Sequence, residues 1–347
     1  MDKKPTLRTI ALATGFALTT VSRALSGDPR IAQATRDTVG RFAAEIGYVP
    51  DRAAQRLRTG RTNVISLVVG PHEEILGFRG SMLAGLGQAL LGTRYHITMT
   101  PYDAHADPVQ PILHLLRNRL ADGLVFSGTC PDDPRVALLV DEGFPFVSHG
   151  RTQLSVPHAW CDYDNAAFSR IAVERLAARG RRRVLLLTPP ATRTYYRHMV
   201  DGFLSACAAN GLAPVIPEGI THATPPQELH QFVTQALHQP DAPDAYLCPG
   251  EVAAMAVLAA VQDAGLVVGR DVDVIAKQTS HVFDQYRPRI DTIYEDLREA
   301  GETLGRLLLR RIAGEDPADL QALHAPSPNF RTTVPEAPRL SRASGTG

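Results

Sequence analysis

Cysteine is scarce in this chain of 347 residues, and the four present (Cys130, Cys161, Cys207 and Cys248) are scattered with no C-x-x-C pair. That spacing argues against a disulfide scaffold and a structural zinc, and favours reduced thiols in a cytoplasmic protein. No apolar run approaches the roughly 20 residues of a membrane span. The polar, basic start (Asp2, Lys3, Lys4) lacks the apolar stretch of a secretory signal. A cytoplasmic, nucleoid-associated protein with no membrane partner is therefore expected. Catalytic signatures are also missing: there is no G-x-x-x-x-G-K-[ST] phosphate cradle, no G-x-S-x-G and no H-E-x-x-H. A helix-turn-helix fused to a phosphotransferase would need such a cradle. Nothing orients a nucleophile around His149, Asp162 and Asp164, so the chain is expected not to be an enzyme and to carry no metal or cofactor.

Net charge is absent as well, with 36 basic and 36 acidic residues, but the balance hides an asymmetry. Residues 1–61 hold eleven bases and five acids, +6, which leaves −6 on residues 62–347. A basic head on an acidic body points to nucleic acid for the head alone.

The head reads as short helices. Thr6 is placed to cap a helix over Leu7–Thr14, and Gly15 allows the turn after it. A second helix is predicted at about 18–25, ended by Ser26-Gly27-Asp28-Pro29, and a third at about 34–46, ended by Gly47. Two helices joined by a short glycine-containing turn, with a third in support, fit a helix-turn-helix. Residues 51–58 suit a helix of two turns, too short to be stable alone, with arginines around one large apolar residue, Leu57.

The body alternates strands and helices. Strands are predicted at 64–69, 95–100, 123–127, 144–148, 183–187, 213–217, 245–248 and 272–276. Helices are predicted at 82–91, 112–119, 165–178, 199–209, 226–237 and 252–264. This alternation implies βαβ units and two similar α/β lobes with doubly wound parallel sheets. The expected domains are a helix-turn-helix head at 1–49, a hinge helix at 50–61, and a core. The core's N-terminal lobe takes 62–162 and 292–323, its C-terminal lobe 163–291 and 324–338. A disordered tail is expected at 339–347.

Thr6-Leu7-Arg8-Thr9-Ile10-Ala11, Thr20-Val21-Ser22-Arg23, Gly47-Tyr48-Val49-Pro50 and Leu57-Arg58-Thr59-Gly60-Arg61-Thr62 occur in order. Together they resemble the head and hinge of the LacI/GalR family of bacterial repressors, and the body is similar to that family's periplasmic-binding-protein-like core. The resemblance implies a homodimer that binds a pseudo-palindromic double-stranded operator and is switched by a small ligand held between two lobes. It places Leu18, Thr19 and Arg23 against base edges, where arginine can bond guanine bidentately and leucine can meet a thymine methyl. Thr6, Thr20, Ser22, Arg30, Tyr48, Arg52 and Arg58 complete the implied DNA set, with Thr20 and Ser22 suited to phosphates. Leu57 resembles the family leucine that wedges into the minor groove. Ala17 and Ala32 stand where the family usually has capping serines, and Ser26 replaces a frequent asparagine.

Effector contacts carry over less evenly. Asp164-Asn165 resembles the family's D-N element at the lobe crossover. Arg193 falls where some members place an effector arginine. A more common arginine position is Met199, and Arg197 lies close by. The usual N-D pair is Gly250-Glu251. The usual G-[FY]-D-D is Ala276-Lys277-Gln278-Thr279, which points to Lys277 and Gln278. A sugar needs an apolar ring face and convergent hydrogen-bonding groups, so Trp160, Arg151 and Phe78 join the candidate set, with His149 and Arg79 beside them. The reading is a repressor released by a small carbohydrate, of α-glucoside type. Its alternative is a purine- or metabolite-responsive regulator in which ligand strengthens operator binding.

Overall fold

The computed structural model describes residues 5–49, 60–70, 76–102 and 107–331. The chain divides into two compact units at Thr62. The predicted hinge segment 51–58 and the tail 339–347 lie outside the described residues.

The head has three helices, α1 (Leu7–Thr14), α2 (Leu18–Leu25) and α3 (Gln33–Glu45). Thr6 begins α1 with a reciprocal cap: its hydroxyl accepts from the Thr9 amide while Thr9 Oγ1 accepts from the Thr6 amide. Gly15 ends the helix at φ +73°, a left-handed turn that a side chain resists. Ala17 and Ala32 start α2 and α3 with no side-chain cap bond, as their methyl groups dictate. Ile10, Val21, Ala24, Val39 and Ala43 form the buried centre.

The core contains two six-stranded sheets. The first has the order β11-β5-β4-β3-β1-β2 and the second β12-β10-β9-β8-β6-β7. The first sheet's strands are β1 (Val64–Val69), β2 (His96–Pro101), β3 (Gly123–Ser127), β4 (Phe146–His149), β5 (Trp160–Tyr163) and β11 (Gln321–His324). The second's are β6 (Arg183–Leu186), β7 (Ala213–Val215), β8 (Ala245–Cys248), β9 (Asp273–Gln278), β10 (Asp291–Tyr294) and β12 (Ser327–Asn329). Read from the other edge, both run in the order 2-1-3-4-5 with one added strand. Their central strands are apolar and buried on both faces, as parallel strands covered by helices must be. The exception to parallel pairing is β12, which runs antiparallel to β10. The short link from β11 to β12, residues 325–326, changes sheet rather than making a crossover in one sheet.

The helices of the first lobe are α4 (Phe78–Leu90), α5 (Val109–Arg117), α6 (Pro134–Asp141) and, after the second crossing, α11 (Leu297–Ile312). Those of the second are α7 (Asn165–Ala178), α8 (Thr194–Asn210), α9 (Pro226–Leu237) and α10 (Glu251–Asp263). The expected lobe boundaries at 162/163, 291/292 and 323/324 need correction, because they cut β5, β10 and β11. A strand stays with the sheet that satisfies its backbone, so the chain crosses after Tyr163, Tyr294 and His324 instead. Three helices start several residues earlier than predicted: α4 at Phe78 rather than 82, α5 at Val109 rather than 112, and α8 at Thr194 rather than 199. Helices α6 and α11 and strands β5 and β10–β12 were not predicted.

Helices α4 and α11 share a buried apolar cluster and approach backbone to backbone at two glycines. A Cβ at Gly85 would collide with the Arg298 carbonyl oxygen, and one at Gly301 with that of Met82. The base of the second lobe is held by charge instead. Asp273 pairs with Arg179 at 2.8 Å, Arg181 at 2.6 Å and Arg331, while Asp291 pairs with Arg175 at 2.7 Å. Burial opposes the charge on Asp273, but hydrogen bonds from Arg179 and Arg181 outweigh it and hold its carboxyl below the ordinary range.

Candidate functional site

In the head, α2 offers the candidate DNA surface. Leu18 is half exposed and Thr19 exposed at its N-terminus, with Thr20 and Ser22 partly exposed and Val21 fully buried beneath. Arg23 leaves the helix toward solvent, 4.0 Å from Asp28. At that separation the carboxylate does not tie up its guanidinium. Arg30 is the residue that engages Asp28, at 2.8 Å, and its hydrogen bonds hold the Asp28 carboxyl at about 2. Arg36 Nη1 donates to the Asp28 and Ile31 carbonyls, so the loop between α2 and α3 is fixed from both sides. Ser26 Oγ donates to the Arg23 carbonyl at 2.9 Å, a local cap in place of the family's asparagine. Thr6 is spent on the cap of α1, and Tyr48 is partly buried against the head core. Arg52, Leu57 and Arg58 lie outside the described residues.

In the core, a cleft of about 210 Å³ opens between the lobes. It lies at the carboxyl ends of the strands, where open α/β sheets take ligands. Ser127 ends β3 and Gly128 and Thr129 follow it, His149 ends β4 and Gly150 and Arg151 follow it, and Asp162 and Tyr163 end β5. The second lobe adds Asn165, Arg193, Thr194 and Tyr195 from its helix starts and Lys277 from β9, and Glu295 comes from the crossing after β10. Phe78 supplies an apolar wall, buried at the start of α4 with its ring 5.9 Å from that of His149.

Charges in the cleft are paired. Arg151 Nε donates to Asp162 Oδ2 at 2.8 Å. Lys277 Nζ lies 3.0 Å from Glu295 Oε2, donates to Asn165 Oδ1 at 2.8 Å, and sits 4.3 Å from the centroid of Tyr163. A buried ammonium without such partners would cost several kcal/mol. Glu295 also faces His149 at 3.7 Å, so one carboxylate links both lobes. Arg193 Nη1 donates to Gly128 O at 2.6 Å, an oxygen that also accepts from Arg135 at 3.0 Å. Nearby His198 is pushed below the usual histidine range by burial and by the Arg151 guanidinium, which keeps it neutral at pH 7.

Of the eight effector candidates, the cleft gathers Phe78, Arg151, Arg193 and Lys277. The other four stand outside its lining. Trp160 lies behind Arg151, whose guanidinium is 5.5 Å from its ring centroid. Asp164 caps α7 by accepting from the Ala167 amide. Arg197 is exposed and reaches Gln153 at 3.4 Å. Gln278, 3% exposed, donates to Ser280 O and Asp284. Gln278 ends β9 with its amide taken up by the turn that follows, while Lys277 reaches the cleft.

Residues 6–51 match the bacterial regulatory proteins of the lacI family, and residues 173–334 match the periplasmic binding protein-like domain. The chain thus carries a lacI-family DNA-binding domain followed by a periplasmic-binding-protein-like domain. It is 29% identical to the HTH-type transcriptional regulator AglR of Rhizobium meliloti, with 96% of each chain covered. Among solved structures it resembles a complex of the transcriptional regulator CelR with cellobiose (25% identity, TM-score 0.68, covering 94% of this chain and 99% of that one). It shares its fold with the Lac repressor dimer bound to operator and an anti-inducer (23% identity, TM-score 0.80, covering 96% and 99%). With its lacI-type DNA-binding head and two-lobed α/β core, the chain is built as a transcriptional regulator rather than an enzyme.

Sequence reasoning missed Glu295, Tyr195, Tyr163 and Thr129 in this cleft. Glu295 ends the run Asp291-Thr-Ile-Tyr-Glu, whose apolar centre and polar end signal a strand terminus facing ligand. Tyr195 was hidden by the late predicted start of α8. The cysteines stay outside the chemistry: Cys161, Cys207 and Cys248 are buried, and burial raises their thiols, Cys207 to about 11.

Proposed function

We propose that this regulator is a homodimeric repressor that binds a pseudo-palindromic operator and is released by a small carbohydrate, of α- or β-glucoside type, bound between its lobes. The observation that carries the reading is the cleft itself. Two cation–carboxylate pairs, Arg151–Asp162 and Lys277–Glu295, sit beside the Phe78 and Tyr195 rings. Alternating donors and acceptors match the hydroxyls of a sugar, and aromatic faces match its C–H faces. The cellobiose found in the CelR complex supports the same ligand class. Lobe closure around the sugar shifts the core arrangement, and the ligand acts only through its differential affinity for the two arrangements.

In the head, α2 enters the major groove with Leu18, Thr19 and Arg23 at base edges, and Thr20 and Ser22 at phosphates. Leu57 reads the minor groove, with Arg52 and Arg58 at phosphates. Operator affinity titrated against cellobiose, maltose and a set of nucleobases tests the reading. A disaccharide that weakens the complex by about 5–150-fold is the expected outcome. A nucleobase that tightens the complex while no sugar changes it overturns the proposal.

A further inference from the structure

Two seams join the lobes beside the cleft. The first is broad: Arg193 Nη1 donates to Gly128 O at 2.6 Å, and the amide and hydroxyl of Thr194 donate to Thr129 O at 3.0 and 3.2 Å. The second, among the described residues, shows one hydroxyl bond. Thr279 Oγ1, just past the end of β9, donates to Leu76 O at 3.2 Å. Leu76 precedes Phe78 by two residues, so this bond holds the apolar wall of the cleft against the other lobe.

The same hydroxyl has a competing acceptor. Glu251 begins α10, is 1% exposed, and has its carboxylate wrapped by the Thr279–Ser280 turn. Its Oε1 accepts from the Thr279 amide at 3.1 Å and from the Ser280 amide and hydroxyl at 2.9 Å each. Its Oε2 accepts from Thr279 Oγ1 at 3.1 Å. A threonine hydroxyl has one proton. A carboxylate attracts that proton more strongly than a peptide carbonyl does.

We propose that Thr279 is an interlobe latch and that Glu251 sets its strength by drawing the hydroxyl proton away from Leu76. Both are positioning residues for the cleft. The proposal rests on the reading of that cleft as the effector site. Its chemistry gives two substitutions opposite signs. Thr279→Val keeps the shape and removes the bond. Glu251→Gln keeps an oxygen for the three Oε1 contacts and puts an amide NH₂ where Oε2 was. That amide donates to Thr279 Oγ1, so the hydroxyl proton goes wholly to Leu76 O and the latch tightens.

The test uses the full chain in two measurements: hydrogen exchange of residues 76–82 without ligand, and stopped-flow release of cellobiose and maltose. Thr279→Val is expected to raise both rates about two- to tenfold, the span of one ordinary hydrogen bond. Thr279→Ser stays at the wild-type level, Glu251→Gln lowers both rates, and the double variant matches Thr279→Val. The latch is overturned if Glu251→Gln moves in the same direction as Thr279→Val, or if exchange at 76–82 ignores Thr279→Val. If neither sugar binds the wild type, the effector reading fails, and the exchange measurement still decides the latch.

Discussion

The head carries its candidate base-reading residues within six consecutive positions of one helix, 18–23, whereas the core draws its cleft from residues as far apart as Phe78 and Leu297. The two regions also differ in what holds them. The head depends on five buried apolar residues, only three of them larger than alanine, and on two caps and a loop clamp. The core combines extensive apolar clusters with buried ion pairs. A domain as small as the head buries a modest share of its surface and has little stability to lose. Recognition of DNA is thus built on a short, locally encoded scaffold, and recognition of a ligand on a large one assembled from distant parts.

The sharpest way to test this contrast is to damage each region separately. Asp273→Ala strips Arg179, Arg181 and Arg331 of their shared carboxylate. It is expected to cost the core about 3–5 kcal/mol. Calorimetry should show the core transition falling while operator contacts made by a folded head persist below it. Ile10→Ala is expected to cost about 2–5 kcal/mol. In so small a unit that abolishes operator binding while sugar affinity stays at the wild-type value. If Ile10→Ala also weakened the sugar, the two regions would not be energetically separate.

Finer changes sharpen the comparison within the head. Arg23→Ala is expected to cost about 1–3 kcal/mol on the cognate operator and to relax one base position. Equal weakening on random DNA would make Arg23 a phosphate contact. Thr6→Ala removes the hydroxyl half of the α1 cap, leaving the backbone amide of residue 6 to donate to Thr9 Oγ1, and is expected to cost about 0.5–2 kcal/mol of head stability by thermal melt. The smallest effect concerns acid. The Asp28 carboxyl is held at about 2 by Arg30, below its unfolded range. Its stabilising contribution is therefore complete above pH 4 or so and lost as pH falls toward 2. An NMR titration placing Asp28 near 4 would remove the loop clamp from the account.

What could be read from the sequence follows the same division. The three head helices were legible because caps, turn glycine and apolar spacing act within a few residues. Arg193 and Lys277 came from the family resemblance, Arg151 from a strand end and Phe78 from the need for an apolar face, and all four line the cleft. The resemblance pointed to Lys277 and Gln278 together, and it could not show that the Gln278 amide is held by the turn at Ser280 and Asp284 while Lys277 lines the cleft. Asp164 was overread because a residue at a crossover can cap a helix and never see the cleft. Glu295 was missed because its strand followed a stretch in which no elements had been predicted.

The contact of α4 with α11 has a consequence for anyone wishing to turn this regulator into a sensor for a different compound. With Gly85 against the backbone at Arg298 and Gly301 against that at Met82, the two helices are geared together like meshed cogs. Phe78 at one end and the crossing at Glu295 before the other therefore move as a single part. Retuning the pocket by sliding α4 is closed off. The adjustable positions are those carried on the loops after β3 and β4, above all Thr129 and Arg151, which the Thr129 hydroxyl ties together through the Arg151 carbonyl. A library that spares the glycines and varies those two positions jointly keeps the gearing that any new ligand would have to drive.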